Sequence, residues 1–164
     1  MKQPERRKSE IRHEIGIISD THGLMRSEAI KALAGTTLII HAGDIDTPEV
    51  LEALRTVAPV VSVRGNNDKG KWAQALPETE VVEVGGVSLY VLHDVKALDL
   101  DPAAAGFQAV ISGHSHRSGL VKRQGVLFLN PGSAGPRRFS LPVSVARLSI
   151  CRNAIDAKLV ELTV

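Results

Sequence analysis

Residues 15–44, IGIISDTHGLMRSEAIKALAGTTLIIHAGD, hold the unit from which the rest of the chain can be read. An apolar run from Ile15 to Ser19 ends in Asp20-Thr21-His22. Ser27 to Ala34 then reads as a short helix, with Ser27 as its N-cap and Gly35 closing it. A second apolar run, Leu38 to His41, ends in Gly43-Asp44. Short apolar runs bounded by turn residues are those of strands buried in a sheet. Working outward, Asp46 or Thr47 can cap the next helix, Pro48 suits its first turn, and Val50, Leu51 and Leu54 supply its apolar face. Pro59 to Val63 is a third strand. This βαβαβ order predicts a parallel sheet with right-handed crossovers.

From Glu78 the pattern changes to hairpins. Glu80 to Val84 and Val87 to Leu92 flank Gly85-Gly86, a two-residue turn that needs positive φ. Gln124-Gly125 joins Gly119–Arg123 to Val126–Leu129, and Arg152-Asn153 joins Val143–Ile150 to Ile155–Leu162. Ala109 to Ser112 is a further short strand. A parallel α/β half followed by hairpins predicts two sheets packed face to face with helices outside.

Composition narrows the class. The chain has 164 residues, 43% apolar and 23% charged, as in one ordinary soluble domain. Residues 13–164 are expected to form that domain, with 1–12 as a flexible tail of mixed charge. No apolar run reaches the roughly 18 residues of a membrane helix, and the first residues lack the pattern of a secretory or transit peptide, so a cytoplasmic location is expected. The net charge of +2 and the 3% aromatic content give no strong nucleic-acid signal. Cys151 is the only cysteine and is read as structural or incidental. The apolar, hairpin-rich second half is compatible with a homo-oligomer.

Each strand of the first half, and two of the second, leads into chemistry-bearing residues. These are Asp20 and His22, Asp44, Asn66 within Gly65-Asn66-Asn67-Asp68, His93, and His114 and His116 within Gly113-His114-Ser115-His116. Loops beyond the carboxyl ends of strands line the ligand crevice of an open α/β sheet, so these residues can converge. Asp20 and His22, one residue apart, would leave the same face of an extended backbone. Asp44 has two oxygens and is the candidate to bridge two cations. A set of carboxylates, one amide oxygen and imidazoles suits two divalent transition metals, with Mn foremost and Ni, Zn or Fe as alternatives. The centre would be net positive and attract phosphate, and two ions would bring a shared water towards hydroxide at neutral pH. Alone, Asp20-Thr21-His22, Gly43-Asp44 or Gly65–Asp68 reads more readily as turn chemistry, and Gly113–His116 less so. Their joint order carries the metal reading. His41 is left as a core or supporting residue and His13 as a strand-edge one.

Together these segments resemble the calcineurin-like metallophosphoesterases. The compact length and Asn130-Pro131-Gly132-Ser133 are similar to the small prokaryotic phosphodiesterases of the YfcE type. The resemblance implies a four-layer αββα sandwich of two mixed sheets. It places Asp20, His22 and His116 on a first metal and Asn66, His93 and His114 on a second, with Asp44 bridging. It makes Asp44, Asn66 and His114 the catalytic candidates, and Asn130–Ser133 a structural loop beside the site.

Two positions depart from the family pattern. Asn67 stands where many phosphomonoesterases carry a histidine that assists the leaving group, and Asn cannot act as an acid near neutral pH. Asp94 stands where glycine is commoner, and its carboxylate could bond a ligand imidazole or repel a dianionic monoester. Asp68 matches an acidic family position and could orient a ligand, touch substrate or cap its own loop. Arg64, Arg137 and Arg138 are candidate phosphate contacts. The expected function is metal-dependent hydrolysis of a small-molecule or exposed phosphodiester by a metal-bound hydroxide. A phosphomonoesterase, a nuclease and a non-catalytic interaction scaffold are the competing readings; the nuclease would need a basic stripe that the composition does not supply.

Overall fold

The computed structural model describes residues 11–164, so most of the expected tail, residues 1–10, lies outside the described residues. The first sheet has the order β10-β9-β1-β2-β3, with β1 at His13–Ile18, β2 at Leu38–His41, β3 at Val60–Ser62, β9 at Ser144–Cys151 and β10 at Ala154–Glu161. Strands β1, β2 and β3 are parallel, whereas β9 runs antiparallel to both β1 and β10. The second sheet has the order β4-β5-β6-β8-β7, with β4 at Thr79–Val84, β5 at Val87–Leu92, β6 at Ala109–Ile111, β7 at Gly119–Arg123 and β8 at Val126–Asn130. Its middle strands β5, β6 and β8 are parallel, and hairpin partners flank them on both sides. Both sheets are mixed, as expected.

The strands alternate their side chains between two cores, as the pleat requires. Ile15, Ile17 and Ile40 of the first sheet meet Leu89, Val91, Ile111 and Leu129 of the second, filling the space between the sheets. Tyr90 and Leu92, the neighbours of Leu89 and Val91 on β5, face the other way with Val110. The outer face of the first sheet is covered by α1 (Ser27–Ala32), α2 (Pro48–Arg55) and α3 (Lys71–Gln74). Val50, Leu51 and Leu54 of α2 are all buried there, a contribution of about 1.5–3 kcal/mol each. The outer face of the second sheet is covered by Leu98, Leu100 and Phe107, in a segment that includes a 3-10 turn at Val95–Ala97.

All three predicted hairpins form. Gly85 and Gly86 adopt φ of 58° and 78°, so the turn conformation forces glycine or a residue tolerant of the left-handed region. Two local expectations change. Ser27 is the first residue of α1, and its hydroxyl bonds Glu28 instead of capping the backbone. Thr47 holds the N-cap position of α2 without a side-chain hydrogen bond, leaving Pro48, which lacks an N–H, to ease the helix start. No described helix is long and apolar enough to cross a membrane.

Candidate metal centre

The loop after β1 and the loop after β2 are laced together through their backbones. The N–H groups of Asp20, His22 and Gly23 donate to the carbonyls of Gly43, Asp44 and Ile45 at 3.0, 3.0 and 2.9 Å. Gly43 has φ of 100°, and a Cβ there would sit 2.7 Å from Nδ1 of His93, so only glycine lets the second sheet's histidine approach. The loop after β6 joins from the other side: the His114 N–H donates to Oδ2 of Asp20 at 3.0 Å, and the Gly113 N–H to the His93 carbonyl at 2.9 Å.

Two ligand groups result. Asp20, His22 and His116 form one, and Asp44, His93 and His114 form the other; in each, the candidate ligand atoms lie within 4.8 Å of one another. Asn66 joins the second group, its Oδ1 3.1 Å from Nδ1 of His114. Asp44 faces both groups, with Oδ2 3.3 Å from Nε2 of His93 and 3.9 Å from Nε2 of His22. All seven ligand candidates are therefore brought together.

The reason for the convergence differs from the one expected for Asp20 and His22. Neither is extended; their φ values are 54° and 46°. Asp44, Asp46, His114 and His116 share this left-handed conformation, so six of the ten non-glycine residues with positive φ, among the described residues, belong to this centre. Each costs on the order of 1 kcal/mol, and such strain concentrates where a site is preorganised.

The donors around the centre are fixed from behind. Nδ1 of His93 lies 2.7 Å from the Ala42 carbonyl and Nδ1 of His22 lies 3.2 Å from Oδ2 of Asp46. Each contact places a proton on Nδ1 and turns Nε2 towards the cluster, the usual support of a metal-bound imidazole. Asp46 was read from the sequence only as a helix cap, and no motif spacing marks it as a histidine partner. Asp68 collects four backbone N–H groups: Asp44 and Gly65 on Oδ2 at 3.0 and 2.8 Å, Ile45 and Asp46 on Oδ1 at 2.8 and 2.9 Å. It organises the loops and does not face the cluster as a ligand. Asn67 donates its backbone N–H to Oδ1 of Asp44 at 2.9 Å, and its side-chain amide reaches Oδ2 at 3.4 Å. Oδ2 of Asp94 lies 3.7 Å from Nε2 of His114, beyond hydrogen-bond length, while its Oδ1 accepts the Lys96 N–H at 3.0 Å.

Asn130–Ser133 buttresses the site. The Asn130 amide donates to the Gly113 carbonyl at 2.9 Å, and the Ser133 hydroxyl to the Asp20 carbonyl at 2.9 Å. His41 is wholly buried beneath the same loops, accepting the Gly43 N–H at 3.1 Å and meeting the Thr21 hydroxyl at 3.0 Å. Of the arginines, Arg64 lines the cavity beside the second group, and Arg137 and Arg138 are exposed.

Electrostatics favour cations here. Burial would raise the Asp44 carboxyl, but the hydrogen bond from His93 and the Asn67 N–H outweigh it and hold the pKa below its ordinary value. Burial opposes a charge on His93, yet the hydrogen bond and charge of Asp44 raise its pKa. Burial lowers His116; Asp20 pulls the other way, and the charges of Arg138 and His22 reinforce the lowering. Oδ1 of Asp20 is fully buried with no hydrogen-bond partner, and Nε2 of His22 and of His116 face each other at 3.3 Å. A buried carboxylate oxygen without a hydrogen bond, 3.3 Å from Nε2 of His116 and 3.8 Å from Nε2 of His22, is costly unless a cation joins them. The donor set fits metal ions.

The two-sheet fold and these paired ligand groups define a metallophosphoesterase. A model of the calcineurin-like phosphoesterase superfamily domain matches residues 14–153, and the chain belongs to that superfamily. It is 35% identical to a probable metallophosphoesterase of Methanocaldococcus jannaschii, over 90% of this chain and 81% of the relative. It is 26% identical to a protein of the same organism named a phosphodiesterase, over 73% of this chain and 82% of that one. Among solved structures, the wild-type Vps29 of Entamoeba histolytica complexed with zinc superposes with a TM-score of 0.70 at 24% identity, covering 90% of this chain and 98% of that one. This last likeness is one of fold.

Proposed function

We propose that this chain is a metal-dependent phosphodiesterase with a dinuclear centre. The observation that carries the reading is the pair of ligand groups facing one another across Asp44, with Oδ1 of Asp20, which has no hydrogen bond, near Nε2 of His22 and of His116. Asp20, His22 and His116 would hold one ion, Asn66, His93 and His114 the other, and Asp44 both. The mixed oxygen and nitrogen set favours manganese, with nickel, zinc or iron as alternatives. When bound, two such ions supply a hydroxide nucleophile near neutral pH and positive charge for the phosphoryl oxygens.

The chain's own residues then orient and discriminate. The Asn67 N–H and amide hold the Asp44 carboxylate, so the position offers hydrogen bonds and no acid. Without an acid to protonate a poor leaving group, diesters and activated aryl esters are the better substrates. The phosphodiesterase name carried by one relative agrees with this preference.

The test is hydrolysis of bis(4-nitrophenyl) phosphate and 4-nitrophenyl phosphate by metal-stripped protein reconstituted with Mn, Ni, Zn or Mg, beside Asp44→Asn. Metal-dependent diester cleavage that disappears in Asp44→Asn is expected. Bound metal with no cleavage under any condition would favour the interaction scaffold, and faster monoester turnover would reverse the assigned preference.

A further inference from the structure

Beside the second ligand group lies a cavity of about 430 Å³, the volume of a small-ligand site. Asn66, His93 and His114 are part of its lining. Tyr90 and Leu92 of β5 line it, and Glu78, Asp94 and Asp99 bring three carboxylates against the single guanidinium of Arg64. That guanidinium is already engaged, 2.9 Å from Glu78. Among the described residues, neither Asp94 nor Asp99 is paired with a lysine or arginine. A metal-loaded centre would be positive, so the cavity sets carboxylates beside a cationic centre.

We propose that this cavity receives the non-reacting substituent of a phosphodiester and selects one that carries a positive charge, an alkylammonium group above all. The preferred substrate is then a zwitterionic phosphodiester. The inference rests on the phosphodiesterase reading and assigns that site its substrate class. An ammonium group has two kinds of partner here: the carboxylates, and the aromatic side chain of Tyr90, which is set by its contact with Phe107 at a 5.1 Å ring separation. A second phosphate or a carboxylate on the substrate meets like charge instead. The carboxylates are partly exposed, Asp94 at 36% and Glu78 at 79% of their side chains, so salt screens them and discrimination is a matter of affinity at low ionic strength. The Lys96 N–H holds Oδ1 of Asp94, and Oδ2 lies 3.7 Å from Nε2 of His114 in the same lining.

The experiment compares three 4-nitrophenyl phosphodiesters that share one leaving group and differ in the second ester: choline, ethyl and 2-carboxyethyl. With metal-loaded protein, kcat/KM is expected to fall in that order, by about tenfold or more from first to last, chiefly through KM. Asp99→Lys should shrink the gap several-fold, and added salt should shrink it in the wild type. Independently of activity, choline titrated into the metal-free protein should shift the amide NMR signals of Ala97 and Asp99, and Asp99→Lys should abolish the shift. Equal KM values for the three esters with no choline-induced shift would overturn the assignment while leaving the diesterase intact. Cleavage of none of them would overturn the diesterase reading, and the choline titration would still decide what the cavity binds.

Discussion

Oδ2 of Asp46 lies 3.2 Å from Nδ1 of His22, a carboxylate set behind an imidazole whose other nitrogen faces the ligand cluster. The contact fixes the ring's tautomer and direction and makes Nε2 a better donor. Asp46→Ala is expected to weaken binding of the ion proposed for Asp20, His22 and His116 by about 10–100-fold. Calorimetric titration with Mn or Zn checks this, and Asp46→Asn should fall between the two. Unchanged affinity in both variants would reduce Asp46 to a loop residue.

Asp68 makes a stability prediction. One carboxylate accepts four backbone N–H groups from two loops, and Asp68→Asn replaces an ionised acceptor with an amide that turns a donor towards some of them. A loss of about 3 kcal/mol is expected. For a chain of this size that lowers Tm by about 6–12 °C. Thermal unfolding of the metal-free protein would show it, and a Tm within a degree or two of wild type would contradict the assigned role.

His41 predicts an acid limb. Burial, reinforced by the charge of His93, lowers its pKa to about 3, against 6.5 in the unfolded chain. The unfolded chain therefore takes up more protons between these values. The His41 contribution is intact above pH 6.5 and is lost as pH falls towards 3, with a limiting slope of about 1.4 kcal/mol per pH unit. Asp44, whose pKa is held below the ordinary carboxylate value, adds its loss in a more acidic window. Urea unfolding in chelator from pH 7 to 4 should show the slope, and it should flatten in His41→Gln.

Asn67→His would place a titratable imidazole where an amide now lies 3.4 Å from Oδ2 of Asp44. A general acid at this point helps most where the leaving alcohol is poor. The ratio of alkyl monoester to aryl diester turnover is expected to rise about tenfold. A constant ratio would remove Asn67 from the explanation of substrate preference.

The strands and hairpins were legible because their signals are local. Short apolar runs stop at turn residues, and Gly85-Gly86, Gln124-Gly125 and Arg152-Asn153 all take positive φ, as two-residue hairpin turns demand. The placement of β1 between β2 and β9 was not legible, since nothing near His13–Ile18 announces a partner far along the chain. Four-residue α3 is too short for a helical period to declare itself. The ligand candidates were legible by residue type and order, but the account of how Asp20 and His22 reach one centre was not. Period-two reasoning presumes an extended chain, and these loops are left-handed at both residues. The supporting roles of Asp46 and Asp68 depend on that same loop shape, which no residue spacing encodes.

The two sheets contribute to each ligand group from opposite sides. His22, beyond β1 of the first sheet, and His116, beyond β6 of the second, are 94 residues apart in the chain, with their Nε2 atoms only 3.3 Å from each other. An ion shared by such residues closes a long loop, much as a disulfide would, and restricts the unfolded chain accordingly. Metal supply is then a stapling reagent for the sandwich itself: a chelator should loosen the seam between the sheets, and the mouth of the cleft should feel it first.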